Sequence, residues 1–191
     1  MKLGLTGRIA CGKSTVSKVL LENGFQIIDC DRIAHVLLLQ DDVKASLRRI
    51  FGDGIFINNE VSRPVLGHIV FSDIEARRAL EKVMRPRVHC KVFEALLTEA
   101  NQVVDCFEII DTPIQSYCFE TWLVTCPPEQ QLQRLIRRNQ LSVEDAKARI
   151  AAQMPEEKMK HGADVIIDNS RSMFQTELQV HSHLKRLGFL R

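Results

Sequence analysis

The chain has 191 residues, of which 45 % are hydrophobic and 26 % charged, the balance of a globular domain able to bury a core of its own. Its formal net charge of +2 excludes the strong basic field by which a protein recruits nucleic acid, and no apolar run approaches the ~20 residues of a membrane helix. The N-terminus enters a strand-like run without the charged and apolar regions of a signal peptide, and the six cysteines show no C-x-x-C spacing, so reduced packing cysteines and a cytoplasmic location are expected.

The apolar run Leu3–Leu5 predicts a first strand, and Val16–Leu21 a helix. Between them lie Gly7, Arg8, Ile9, Ala10, Cys11, Gly12, Lys13, Ser14 and Thr15. They fit G-x-x-x-x-G-K-[ST], the strand–loop–helix signature of a phosphate-binding loop. A polyphosphate needs several N–H donors converging on it, which a tight loop ending at a helix N-terminus supplies together with the favourable end of the helix dipole. Gly7 and Gly12 are expected to permit the loop's close backbone approach and positive φ angles. Lys13 would reach the β- and γ-phosphates and Ser14 would ligate Mg²⁺. These residues point to ATP and Mg²⁺ as cofactors. Cys11, beside Lys13 and a helix N-terminus, is either a reactive thiol of lowered pKa or the occupant of a small-residue position.

Gly24 ends the helix, and Phe25–Ile28 predicts a second strand followed by Asp29, Cys30 and Asp31. Ligands of open α/β sheets bind outside the carboxyl ends of the strands. The two aspartates would therefore face the same crevice as the loop, where a carboxylate can orient an acceptor hydroxyl and take its proton. Each equally fits an N-cap or first-turn position of the following helix.

From Arg32 to about Ala100 the periodicity is helical. Ser72–Glu75 reads as a capping-box start, and Pro86 as the start or kink of a helix. A helical block of this length between strands is an insertion suited to holding a second substrate. Arg63, Arg85 and Arg87 are the cations in it that could meet an anionic acceptor, or are surface arginines.

Strands return at Val103–Cys106 and Trp122–Thr125, and Pro127–Pro128 sets up the next helix. That helix carries Gln131, Arg134, Leu135, Arg137 and Arg138, and a second, begun by Ser142, runs towards Gln153. Arg134 and Arg138, four residues apart, share a helix face. A helical pair rich in arginine suits a lid that neutralises the charge of phosphoryl transfer, although a plain basic helix fits too. Val165–Ile167 makes the last strand, closing on Asp168 and Asn169, and a helix from Ser172 to Leu187 ends at Gly188. Alternating strands and helices predict an α/β fold with a mostly parallel sheet covered on both faces.

Taken together, these stretches resemble the dephospho-CoA kinase family over nearly the full length. Ile28, Asp29, Asp31, Ala34 and His35 meet I-D-x-D-x-x-A-H. Gln131, Arg134, Leu135 and Arg138 meet Q-x-x-R-L-x-x-R, followed by Ala151–Pro155 and Lys158. Ala163–Asn169 matches the terminal A-D-x-V-I-x-N. The resemblance implies a P-loop NTPase fold of the nucleoside monophosphate kinase type in one domain. Its core would lie at about 1–31, 102–127 and 162–191, a helical acceptor-binding insertion at about 32–101, and a small helical lid at about 128–161.

The implied reaction moves the γ-phosphoryl of ATP to the ribose 3′-hydroxyl of dephospho-CoA. Catalytic roles would fall to Asp31, Lys13 and Arg138, and Mg²⁺ binding to Ser14 and Asp31. Arg134 and Asn169 would join the loop residues around ATP, and Asp29, His35, Arg63, Arg85 and Asp111 would serve the acceptor. Partners would be ATP and dephospho-CoA, with no nucleic acid and no membrane, in a monomer or weak homo-oligomer. The alternatives within this reading are a small P-loop kinase with another acceptor and a nucleotide-binding module of weak catalysis.

The chain departs from the family pattern at several places. Arg8 and Ala10 replace loop glycines, and Cys11 replaces a serine. Ser62-Arg63 stands for D-R, and Arg85-Pro86 for H-P. Asp105–Asp111 replaces D-x-P-L-L-F-E, with Glu108 at a leucine position and Asp111 at the final carboxylate. A rival placement puts D-x-P on Asp111, Thr112 and Pro113.

Overall fold

The computed structural model describes residues 1–190. In chain order the elements are β1 (Lys2–Gly7), α1 (Lys13–Glu22), β2 (Gln26–Asp29), α2 (Cys30–Leu37), α3 (Asp41–Phe51), β3 (Phe56–Ile57), β4 (Glu60–Val61), α4 (Arg63–Ser72) and α5 (Ile74–Leu96). They continue with β5 (Gln102–Asp105), β6 (Glu120–Thr125), α6 (Pro128–Asn139), α7 (Val143–Ala151), α8 (Glu156–Gly162), β7 (Val165–Asp168) and α9 (Met173–Arg186). No helix among the described residues is long and apolar enough to cross a membrane.

The chain forms two compact units, Met1–Ile28 with the residues from Thr98 onward, and Asp29–Leu97. The first holds a five-stranded sheet of order β2-β5-β1-β6-β7. The β1–β5, β1–β6 and β6–β7 ladders are parallel, which demands crossover helices and apolar side chains on both faces. Leu3, Leu5, Val103, Trp122, Val124 and Ile167 pack with Val16 and Leu20 of α1 and Val180 and Leu184 of α9 in one core. Burying a leucine or valine there contributes roughly 1.5–3 kcal/mol. Gly7 closes β1 in extended backbone, and a Cβ on it would lie 2.8 Å from the Val124 carbonyl oxygen. Its glycine is thus required by strand packing rather than by a positive φ.

In the second unit Leu37, Val43, Leu47, Ile55, Leu66 and Met84 make a separate core. The predicted all-helical block is interrupted by the β3–β4 hairpin, in which Phe56 pairs with Val61 and Ile57 with Glu60. Asn58 and Asn59 turn it with φ of 50° and 63°, the left-handed pair that a two-residue hairpin needs and asparagine tolerates. Two-residue strands are too short to leave a period in the sequence.

Two further expectations are corrected. The cap of α5 is Asp73, whose carboxylate accepts from the amides of Glu75 and Ala76, whereas the Ser72 hydroxyl bonds back to His68 and Ile69 of α4. Of the two readings of Pro86, the helix start is excluded, because Pro86 sits inside α5. It removes one i→i−4 hydrogen bond, and the helix buries Met84 before it and Val92 and Leu96 after it.

Candidate active site

The site is built where β1 empties onto α1. Gly12 takes φ 95° as the N-cap of α1, no side chain caps that helix end, and no acidic residue stands in its first turn. Unsatisfied helix amides with no competing carboxylate make an anion site. Gly12 also meets a packing demand, since a Cβ there would fall 1.8 Å from Asn169 Nδ2. Ala10 holds φ 62° without being glycine.

The outward-facing polar groups of the loop are tied down. Ile9 C=O accepts from Gln131 Nε2 at 2.9 Å, and Ile9 N–H donates to Gln153 Oε1 at 2.9 Å. Cys11 C=O accepts from Asn169 Nδ2 at 2.8 Å, and Asn169 Oδ1 accepts from the Thr176 hydroxyl. The amide of Cys11 closes on Arg8 C=O, and that of Thr15 on Gly12 C=O. The amide hydrogens of Ala10, Gly12 and Ser14 take part in none of these bonds, which leaves them for a ligand.

Lys13 Nζ lies 2.5 Å from Asp105 Oδ1, both side chains largely buried, and the other oxygen of Asp105 accepts from Ser17 Oγ at 2.5 Å. The aspartate ends β5, the strand beside β1. β5 thus stands between β1 and β2, so the carboxylate at the tip adjoining the loop is Asp105, not one of the pair after β2. The sequence marks Asp105 only as the start of the altered 105–111 segment, not as a site residue. Its signal, a carboxylate closing a strand, was present, but strand order is not written in the sequence.

Arg8, one of the loop residues expected around ATP, donates from Nη2 to Ile150 C=O at 2.7 Å, with its Nε buried and unpartnered. Cys11 is fully buried. A hydrogen bond to Cys126 and burial both push its thiol pKa up, so the reactive-thiolate reading is overturned and the packing reading holds. A small cleft opens beside the loop between Gly7, Arg8, Phe107, Glu108, Gln153, Met154 and Met159. Glu108, the departure from leucine, lines it.

The lid arginines differ. Arg134 Nη2 donates to Asn169 C=O at 3.1 Å while its Nη1 is buried without a partner, and the exposed Arg138 donates to Asn139. Asp111 takes φ 61° and pairs with Lys158 at 2.8 Å. Gln131, 1 % exposed on the apolar face of α6 with Leu135, carried a readable signal, because a buried amide must find partners.

In the second unit Asp29 caps α2, its Oδ1 accepting from the Arg32 amide at 2.9 Å, so its N-cap reading holds. Asp31 is exposed in the first turn of α2, and His35 is exposed in its last turn. Arg63 opens α4 and is exposed. Arg85 pairs with Glu81 at 3.0 Å, and Arg87 with Asp42.

A metal fit can be judged from the donors. Among the described residues no three His, Cys, Asp or Glu side chains cluster as a metal cage. The exposed Ser14 hydroxyl at the mouth of α1 suits Mg²⁺, an ion that takes few protein ligands and completes its shell with phosphate oxygens and water.

A parallel sheet whose central strand delivers a glycine loop to an open helix end, with the loop lysine parked on the next strand's carboxylate, defines the class as a P-loop kinase fold. The family model described as dephospho-CoA kinase matches residues 1–175, and the chain belongs to that family. It is 40 % identical over 191 aligned residues to the dephospho-CoA kinase of Symbiobacterium thermophilum, covering 94 % of this chain and 78 % of that one. Among solved structures it is similar to TT1252 from Thermus thermophilus (TM-score 0.81, 31 % identity, 98 % and 97 % of the two chains). It is also similar to the dephospho-CoA kinase from Campylobacter jejuni (TM-score 0.63, 28 % identity, 97 % and 96 %).

Proposed function

We propose that this protein phosphorylates the ribose 3′-hydroxyl of dephospho-CoA with ATP, releasing ADP and coenzyme A. Family membership supports the acceptor. The observation that carries the phosphate chemistry is the open N-terminus of α1, uncapped by any side chain and without an acidic residue in its first turn, with Lys13 beside it. On binding, the triphosphate would draw Lys13 from Asp105 to the β- and γ-phosphates. Ser14 and Asp31 would hold Mg²⁺ with the phosphate oxygens, and that ion would neutralise charge on the bridging and terminal oxygens.

Asp31 is assigned to orient the 3′-hydroxyl and accept its proton. The hydroxyl oxygen bonds to the γ-phosphorus as the bond from that phosphorus to the β–γ bridging oxygen breaks, and ADP carries away the electron pair. Arg138, exposed and hydrogen-bonded to the neighbouring Asn139 side chain, would swing onto the transferring group, with Arg134 nearer the loop. Asn169 supports the loop from below, next to where the nucleotide would lie. Asp29, His35, Arg63, Arg85 and Asp111 are the proposed acceptor contacts. The six free cysteines suit a reducing compartment, and we place the protein in the cytoplasm.

The test is ADP release with Mg²⁺-ATP and a panel of hydroxyl and nucleotide acceptors. Turnover with dephospho-CoA is expected. Turnover confined to another acceptor, or ATP binding with no turnover on any, would overturn the assignment.

A further inference from the structure

The contacts of Arg8 and Gln153 join two elements that the reaction scheme treats separately. Ile150 lies in the last turn of α7, where its carbonyl accepts the Gln153 amide hydrogen at 3.3 Å. Arg8 adds a cationic donor to the same carbonyl, at 2.7 Å, at the negative end of the helix dipole, where positive charge is favourable. Three residues on, Gln153 accepts the Ile9 amide hydrogen at 2.9 Å. On the other side of the same residue, Gln131 of α6 holds Ile9 C=O at 2.9 Å. The peptide groups flanking the loop's turn are thus gripped from two directions. The grip from α6 comes from a buried side chain, whereas the grip at 150–153 comes from the end of α7.

We propose that Arg8 and Gln153 are positioning residues for nucleotide binding. Through them the C-terminal end of α7 sets the orientation of the Ile9 peptide, and so aims the amides of Ala10, Gly12 and Ser14 at the triphosphate. Movement of α7 and nucleotide affinity are then one coupled equilibrium: a bound nucleotide favours the braced α7, and a displaced α7 leaves Ile9 N–H without its partner and the loop unaimed. Arg8, which takes the place of a loop glycine, lends this chain a tether that a glycine could not make. The inference rests on the loop's being the ATP site.

The test uses the full chain and Arg8→Met, Gln153→Met, the double variant and Arg8→Lys, which keeps a donor for Ile150. ATP affinity is measured by calorimetry with Mg²⁺, the KM values for ATP and dephospho-CoA and kcat from steady state, and loop amide protection by hydrogen exchange. Each Met variant should weaken ATP binding about fivefold, which is about 1 kcal/mol at ~1.4 kcal/mol per decade. It should also speed exchange at residues 8–12 and raise the KM for ATP without a matching rise in the KM for dephospho-CoA. The double variant should lose less than the product of the singles, because both residues hold one segment, and Arg8→Lys should recover most of the affinity. Unchanged ATP affinity in both Met variants, or an equal rise in both KM values, would overturn the brace. Should Gln153→Met fail to fold, the Met and Lys variants at position 8 decide the matter alone. A native protein that binds no ATP would instead sink the reading of the loop itself.

Discussion

Ala10 carries the clearest residue-scale cost in the loop. Its φ of 62° places a Cβ where L-residues are disfavoured by roughly 1–2 kcal/mol, part of which returns as the greater unfolded-state entropy of glycine. Ala10→Gly should therefore raise Tm by about 2 °C for a chain of this size. Differential scanning calorimetry checks this, and a fall in Tm would mean that the methyl group makes contacts worth more than the strain. The same dihedral explains why a glycine belongs at this place in the family pattern, which was legible from sequence only as a departure. The loop itself was legible because phosphate binding demands particular residues at fixed spacing. Side-chain direction was not: Arg8 and Cys11 stand in variable positions of the motif, and it took the fold to turn one towards α7 and bury the other against Cys126.

At the scale of elements, caps and strand ends were readable wherever one residue type has one physical job. Ser142 capping α7 and Ser172 with Gln175 boxing the start of α9 are of this kind. Pairing was not readable, because β5 inserts between β1 and β2 through contacts some 75 or more residues apart, and this moved the loop's neighbouring carboxylate to Asp105.

The packing of α9 on the sheet also carries a pH dependence. The His183 ring lies 5.5 Å from that of Trp122, and burial, then the charge of Arg186, lowers its pKa against a smaller opposing effect of Glu120. A histidine whose folded pKa is depressed takes up its proton first in the unfolded chain, so its contribution is intact above the ordinary value of 6.5 and is lost as pH falls through it. Urea unfolding at pH 7.5 and 5.5 should show lower stability at the acid value, and His183→Gln should reduce that difference. An unchanged difference would assign the slope elsewhere, with His89, likewise lowered by burial and Arg85, as the next candidate.

Across the whole molecule, sequence and structure divide the chemistry unevenly. The unit from Met1 to Ile28 and from Thr98 onward contains the open helix end, Lys13 and Asp105, the braced loop and the arginines of α6. The unit Asp29–Leu97 contributes an exposed Asp31 and His35 on α2 and the arginines of α4 and α5. The parallel α/β architecture was legible because its alternation of strand and helix is a local pattern repeated along the chain. The proposed acceptor residues were legible only as candidates with a bland alternative, since an arginine or histidine exposed on a helix has no geometry of its own to declare a ligand.

We propose a division of labour in which Lys13 serves the nucleotide and Asp31, besides helping Ser14 to hold Mg²⁺, serves chiefly the hydroxyl that receives the phosphoryl group. The most direct measurement is kcat with dephospho-CoA alongside ATP affinity, for native protein, Lys13→Ala and Asp31→Asn. Removing a general base costs roughly 10²–10⁴ in rate, so Asp31→Asn should lose about a thousandfold in kcat while binding ATP within about threefold of native. Lys13→Ala should lose both turnover and affinity. A near-native kcat in Asp31→Asn would contradict the claim.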